Sequence, residues 1–179
     1  MEFYLTYQGP LPSNGTPIDK HKIRKDFHNQ LERLWNMPPL DYSKEQLLSG
    51  VDDAGHINII KPIGGVKFAS LICKKLYLYT LLDITLLWPD VPGKIINTGD
   101  IDNRLKTLFD ALSCPDENQM QQIKKKESFT NNTFHCLLED DKLIQSVNIK
   151  THTWLNSSNS NVLAIIHVAH FNLKRNASG

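Results

Sequence analysis

From Leu76 to Trp88 every second residue suits a buried sheet face: Leu76, Leu78, Thr80, Leu82, Ile84, Leu86 and Trp88. A period of two held this long cannot lie along one side of a helix, so it predicts a strand, or a pair of strands, with one face buried. Thr80, Asp83 and Thr85 interrupt the run, which is also too short to cross a bilayer as a helix. A buried sheet face needs something packed on it, and the rest of the chain must supply that layer.

The supply is adequate. A chain of 179 residues favours one domain, spanning 1–179, that buries a core without metal or disulfide staples. Phe3, Leu5 and Tyr7 alternate with Tyr4 and Thr6 as a short strand, ended by the Gly- and Pro-rich loop from Gly9 to Pro17. A helix is expected from about Lys20 to Asn36, capped by Asp19, with Ile23, Phe27, Leu31, Leu34 and Trp35 toward the core. A short helix is expected over Ser43–Leu48. Strands are expected over His56–Lys61 and Val66–Cys73, turned by Gly64-Gly65, and a central one over Val162–Phe171. A further strand carries Val147, Ile149, Thr151 and Thr153 on one side. Strands and helices mix without βαβ alternation, so the class is α+β, a mixed β-sheet packed with helices. Ser113 to Glu139 is polar and reads as a long mobile insertion with a short helix near Gln119–Lys126.

A net charge of +1 neither requires nor forbids a nucleic-acid partner, so charge must be read locally. Lys20, His21, Lys22, Arg24 and Lys25 crowd the first turns of the first predicted helix, where the dipole disfavours cations. That placement fits either a polyanion partner or a solvated charged face. Cys73, Cys114 and Cys136 are odd in number and lack CxxC spacing, which speaks against a disulfide framework and fits a reducing cytoplasm. The opening residues lack a basic segment before an apolar run, so neither a secretory signal nor membrane attachment is expected. His167 and His170 fall on opposite faces of the last expected strand and His21 and His28 lie seven apart on a helix, so a structural zinc site is not expected, and no phosphate-cradling GxxxxGK[ST] or GxGxxG occurs.

The acidic residues carry the chemistry. Leu105, Leu108, Phe109 and Leu112 predict a helix starting near Asp102 or Asn103, with Asp102 as its N-cap. Asp100 and Asp102 flank one residue at its entry and can converge on one hard cation, since Mg²⁺ takes oxygen ligands and keeps several waters. Lys106 lies one turn later on the same side, either as an i,i+4 partner of Asp102 or facing a phosphate. Asp110 follows after another turn. Asp140 and Asp141 form a second acidic pair, immediately before a strand.

In this order the residues resemble the RusA-type Holliday junction resolvase family. The resemblance rests on Asp100, Asp102, Asn103, Lys106, Asp110, Ala111 and Leu112, then Asp140 and Asp141 leading into a strand from Ile144. The loop Pro10 to Asn14 after the first strand also resembles the family's Pro-Ser-Asn turn. The resemblance implies a RusA-like fold and a homodimeric, Mg²⁺-dependent endonuclease that cuts branched DNA in recombination and repair, with Mn²⁺ as a substitute ion. It implies that Asp100, Asp102 and Asp141 bind metal, Asp140 standing beside them, and that Lys106 is the catalytic lysine. Lys20, Lys22, Arg24, Lys25 and Lys94 are then candidate phosphate contacts. The long link from Leu112 to Asp140 and the strands around His56–Cys73 are additions to the family pattern. The alternatives are a RusA-like DNA-binding module without catalysis, the same chemistry on other nucleic acids, and a phosphohydrolase of small nucleotides.

Overall fold

The computed structural model describes residues 1–49, 57–89, 100–129, 132–156 and 161–172. The alternating N-terminal residues form β1 (Glu2–Gly9), which buries Leu5 and Tyr7. Helix α1 (Pro17–Trp35) opens on a capping box: Asp19 N donates to Thr16 Oγ1 while Asp19 Oδ2 accepts from Thr16 N. Thr16, not Asp19, is therefore the N-cap. Pro17, with φ already suited to the first helical position, starts the helix three residues earlier than its apolar stripe predicts. Ile23, Phe27, Leu31 and Trp35 are buried and Leu34 half-buried. Each fully buried side chain of this size contributes roughly 1.5–3 kcal/mol.

The main sheet runs β1–β7–β4–β6. Strand β7 (Val162–Asn172) lies antiparallel between β1 and β4 (Leu78–Trp88), and β6 (Ile144–Thr153) adds in parallel to the far side of β4. The alternation along β4 is read correctly: Thr80, Leu82, Ile84, Leu86 and Trp88 are buried. Leu76 is not part of it. It belongs to a 3-10 turn (Lys74–Leu76), and Tyr77 reverses the chain with a φ of 53°. Between α1 and the second sheet comes a short helix α2 (Asp41–Leu47).

The second sheet runs β2 (Ile60–Ile63), β3 (Val66–Ile72) and β5 (Phe134–Leu138), with β2–β3 antiparallel and β3–β5 parallel. The expected strand over His56–Lys61 survives only in Ile60 and Lys61, because Asn58 Oδ1 accepts from Ile60 N and turns the chain; His56 lies outside the described residues. Gly64 and Gly65 make the hairpin turn with φ of 55° and 78°, as a two-residue turn between twisted strands requires. A Cβ on Gly64 would also lie 2.6 Å from Met120 Cγ.

Helix α3 (Asp100–Leu112) follows β4, and α4 (Glu117–Lys124) follows α3. The helix is already under way at Asp102, which therefore sits in its first turn and not at its N-cap. Leu105, Leu108, Ala111 and Leu112 are buried, as their spacing predicts. The stretch Ser113–Glu139, expected as a mobile insertion, instead contributes to both cores. Met120 and Ile123 of α4 pack with Phe68, Phe134 and Cys136 in a second apolar cluster. All five residues of β5 are buried, as in a strand covered on both faces. The architecture is α+β, two mixed sheets packed against helices. Among the described residues no helix is long and apolar enough to cross a membrane.

Candidate active site

Helix α3 presents Asp102, Lys106 and Asp110 at i, i+4 and i+8, a stripe about 12 Å long at a rise of about 1.5 Å per residue. Three contacts from distant segments fix the helix. Arg24 of α1 is buried; its Nε donates to Ser113 O at 2.8 Å and its Nη2 to Asp110 O at 2.7 Å. Gly15 N donates to Thr107 Oγ1 at 2.9 Å. Arg104 donates to Leu11 O and lies over the Trp88 ring, 5.3 Å from its centroid. The loop Pro10–Asn14 is thereby docked on the helix that carries the acidic motif, although some ninety positions separate the bonded residues, Gly15 from Thr107 by 92.

A Cβ on Gly15 would fall 2.7 Å from Thr107 Cγ2. Gly15→Ala should therefore push the loop off α3 and cost about 1–3 kcal/mol, the usual range for overpacking. Urea unfolding measures this, and an unchanged midpoint would mean the loop is not held against Thr107.

The second acidic pair reaches α3 from the other side. Cys114 N donates to Leu138 O at 3.0 Å, and Glu139 N to Ile72 O at 2.9 Å, so β5 ends beside the C-terminal end of the helix. Asp140 caps the following 3-10 turn (Asp141–Leu143): its Oδ1 accepts from Lys142 N at 3.0 Å. That N–H holds the Asp140 carboxyl below its usual range. Asp141 is moved the opposite way, upward, by partial burial, by its hydrogen bond with Asp140 and by the charges of Asp140 and Asp110. Asp110, Asp116, Glu139, Asp140 and Asp141 line a cleft of about 260 Å³.

Protein cations answer some of this charge. Lys20 Nζ lies 2.6 Å from Asp110 Oδ2, Lys61 3.6 Å from Glu139 and Lys74 3.9 Å from Asp140. The last two are exposed pairs, worth at most a few tenths of a kcal/mol to about 1. No cation of the described residues pairs with Asp141. Asp102 and Lys106, both exposed, make no ion pair with each other despite their i,i+4 spacing, nor with any other described residue. Both are free to meet a ligand.

The expected metal set is only partly assembled. Asp141 approaches α3 at Asp110, two turns beyond Asp102. The side chain of Asp100 lies outside the described residues. Among the described residues no three His, Cys, Asp or Glu side chains converge on one ion. The donors are all carboxylates, the ligand type that suits Mg²⁺ or Mn²⁺, and like-charge crowding at Asp141 is what a cation would relieve.

The expected phosphate contacts need correction. Arg24 is a buried clamp on α3, since it falls at i+4 from Lys20 and i−3 from Phe27, on the face turned to the core. Lys20 is committed to Asp110 and largely covered. Lys25 reaches Glu127 at 2.9 Å. Lys22 alone among them stays exposed without an ion pair among the described residues; Lys94 lies outside those residues. Asp116 and Glu139 line the cleft as well, Asp116 from the link between α3 and α4 and Glu139 because β5 ends beside Asp110, a tertiary path that spacing along the chain does not show. Comparison with protein-family models, curated proteins and solved structures gives no match.

Proposed function

We propose that the protein is a Mg²⁺-dependent endonuclease of RusA-like type, acting on branched DNA, with its centre on the exposed face of α3. The observation that carries the reading is the pair Asp102–Lys106: an acid and a base on one helix face, unpaired, with the crowded carboxylates of Asp140 and Asp141 at the far end of the same helix. A structural ion pair would have closed that gap. Asp100 and Asp102 are the residues that would hold an ion at the start of α3, and Asp141, beside Asp110, would hold a second at its far end. Bound Mg²⁺ would supply Lewis-acid activation of water and neutralise charge on the phosphoryl oxygens. Lys106 would fix a phosphate oxygen by its ammonium and stabilise charge that grows in the transition state. Lys20, by its bond to Asp110, holds the C-terminal half of α3 in register with α1. The resemblance in motif order supplies the branched substrate and the homodimer; both belong to this proposal.

A second reading, a nucleic-acid-binding module without catalysis, is favoured by the lack of three convergent ligands among the described residues. Cleavage of a synthetic four-way DNA junction in Mg²⁺ or Mn²⁺, beside linear duplex and single-strand controls, separates the two. Selective junction cleavage supports the nuclease. A folded protein that binds the junction and leaves every substrate intact supports the module.

A further inference from the structure

On the side of the molecule formed by α1, α4 and the β2–β3 hairpin, two cavities meet at Phe129. One, of about 430 Å³, is walled by His21, His28 and Phe134; the other, of about 580 Å³, by Val66, Lys67 and Lys124. Both are lined by Glu127, Ser128 and Phe129. Their sizes lie in the range of pockets that enclose small planar ligands. The aromatic walls are packed together: the Phe129 centroid lies 5.2 Å from His21 and 6.3 Å from Phe134, and His28 stacks on Phe134 at 4.3 Å. His21 is buried, and its Nδ1 has no hydrogen-bond partner.

Lys67 and Lys124 line the larger cavity and Lys25 the smaller, and the charge of Lys22 reaches Glu127, which lines both. Lys22 and Lys67 are exposed and make no ion pair with described residues. Of the acids nearby, Glu127 is engaged by Lys25, Asp19 is lowered by its hydrogen bond with Thr16 and in part by the charges of Lys22 and Lys126, and Asp26, exposed, lines the smaller cavity. Rings beside exposed lysines are the combination that binds an unpaired strand, bases on the rings and phosphates on the ammonium groups. A duplex keeps its bases stacked inside and cannot offer them to Phe129 without extrusion. A lone nucleotide would fill only one of the two cavities that meet at Phe129.

We propose that this groove binds an unpaired strand of nucleic acid, seating bases against Phe129 and His28 and its backbone along Lys22, Lys67 and Lys124. It lies at the N-terminal end of β5, whereas the acidic cleft lies beyond the C-terminal end. The groove therefore holds one arm of a substrate whose cutting occurs elsewhere, and in that sense it rests on the nuclease reading above.

Fluorescence anisotropy with the full chain in EDTA, where no metal-dependent cleavage interferes, tests the groove by itself. The probes are labelled oligothymidine of about fifteen nucleotides, near the upper site size of such grooves, the matching duplex, and thymidine monophosphate as competitor. The groove predicts salt-sensitive binding of the single strand in preference to duplex. Phe129→Ala should weaken it roughly tenfold or more, and Phe129→Tyr should restore it. Lys67→Glu, an exposed change that leaves the rings in place, should weaken it too and make its loss with salt shallower, since one fewer phosphate is neutralised. Equal binding of duplex, an unchanged affinity in both Phe129→Ala and Lys67→Glu, or full displacement by the mononucleotide at comparable concentration would overturn the proposal. Strand binding without any cleavage would leave the groove standing and remove the nuclease. Cleavage without strand binding would do the reverse.

Discussion

Arg24→Ala should cost the protein on the order of 3–5 kcal/mol and lower its melting temperature by roughly 6–20 °C, more than any exposed lysine of α1. Arg24 is buried, and it donates to the carbonyls of Asp110 and Ser113 at the C-terminal end of α3. Those carbonyls are orphaned by the end of the helix, and a cation there also opposes the negative end of the dipole. Truncation leaves both acceptors without their donor and opens a cavity between α1 and α3. Arg24→Met, which fills the space without donating, should recover part of the loss but not all. Thermal and urea unfolding of the two variants measure this. If Arg24→Ala melted with the wild type while losing affinity for DNA, the side chain would be a phosphate contact after all.

The second large effect is a loss of stability in mild acid. Burial, with the nearby charge of Arg24, pushes the His21 imidazole down to about 4; burial does the same for His135, with His28 and Lys44 adding to it. His28 is lowered as well, by burial, and its Nδ1 accepts from His135 N at 3.0 Å, which fixes it as the neutral tautomer. Unfolded imidazoles titrate near 6.5, so as pH falls the unfolded chain takes up protons first. The stability these rings contribute is whole above about pH 6.5, declines below that value and is gone below about pH 4. Between pH 8 and pH 5 the expected loss is roughly 2 kcal/mol for each of His21 and His135. Urea midpoints at the two pH values measure it, and His21→Phe should flatten the dependence by about half. A midpoint that did not move down to pH 5 would mean that these rings are solvated.

Periodicity made much of this fold legible. The two-residue alternation along Thr80–Trp88 and the i, i+3, i+4, i+7 spacing from Leu105 to Leu112 each gave the right element with the right face buried. Strand β5 escaped because Phe134–Leu138 is a run of five within polar sequence, and a strand buried on both faces shows no alternation. The basic cluster of α1 misled for a related reason. Charge counted along the sequence ignores the helical wheel, and the wheel puts His21 and Arg24 inward with Ile23 and Phe27. At the candidate site, Asp102 and Lys106 were readable from spacing alone, and the structure adds that they stay unpaired. The role of Asp110 was not readable, since its partners Lys20 and Asp141 come from α1 and from the turn after β5.

The most direct measurement is the rate of Mg²⁺-dependent cleavage of a four-way junction by the wild type and by Asp102→Asn, run side by side on folded protein. Asp102 is exposed and unpaired, so the substitution should leave stability almost unchanged. A centre on the face of α3 predicts cleavage by the wild type and a rate at least about a hundredfold lower in the variant, as for removal of one group that stabilises transition-state charge. Equal cleavage by the two proteins would contradict it and place the chemistry away from this helix.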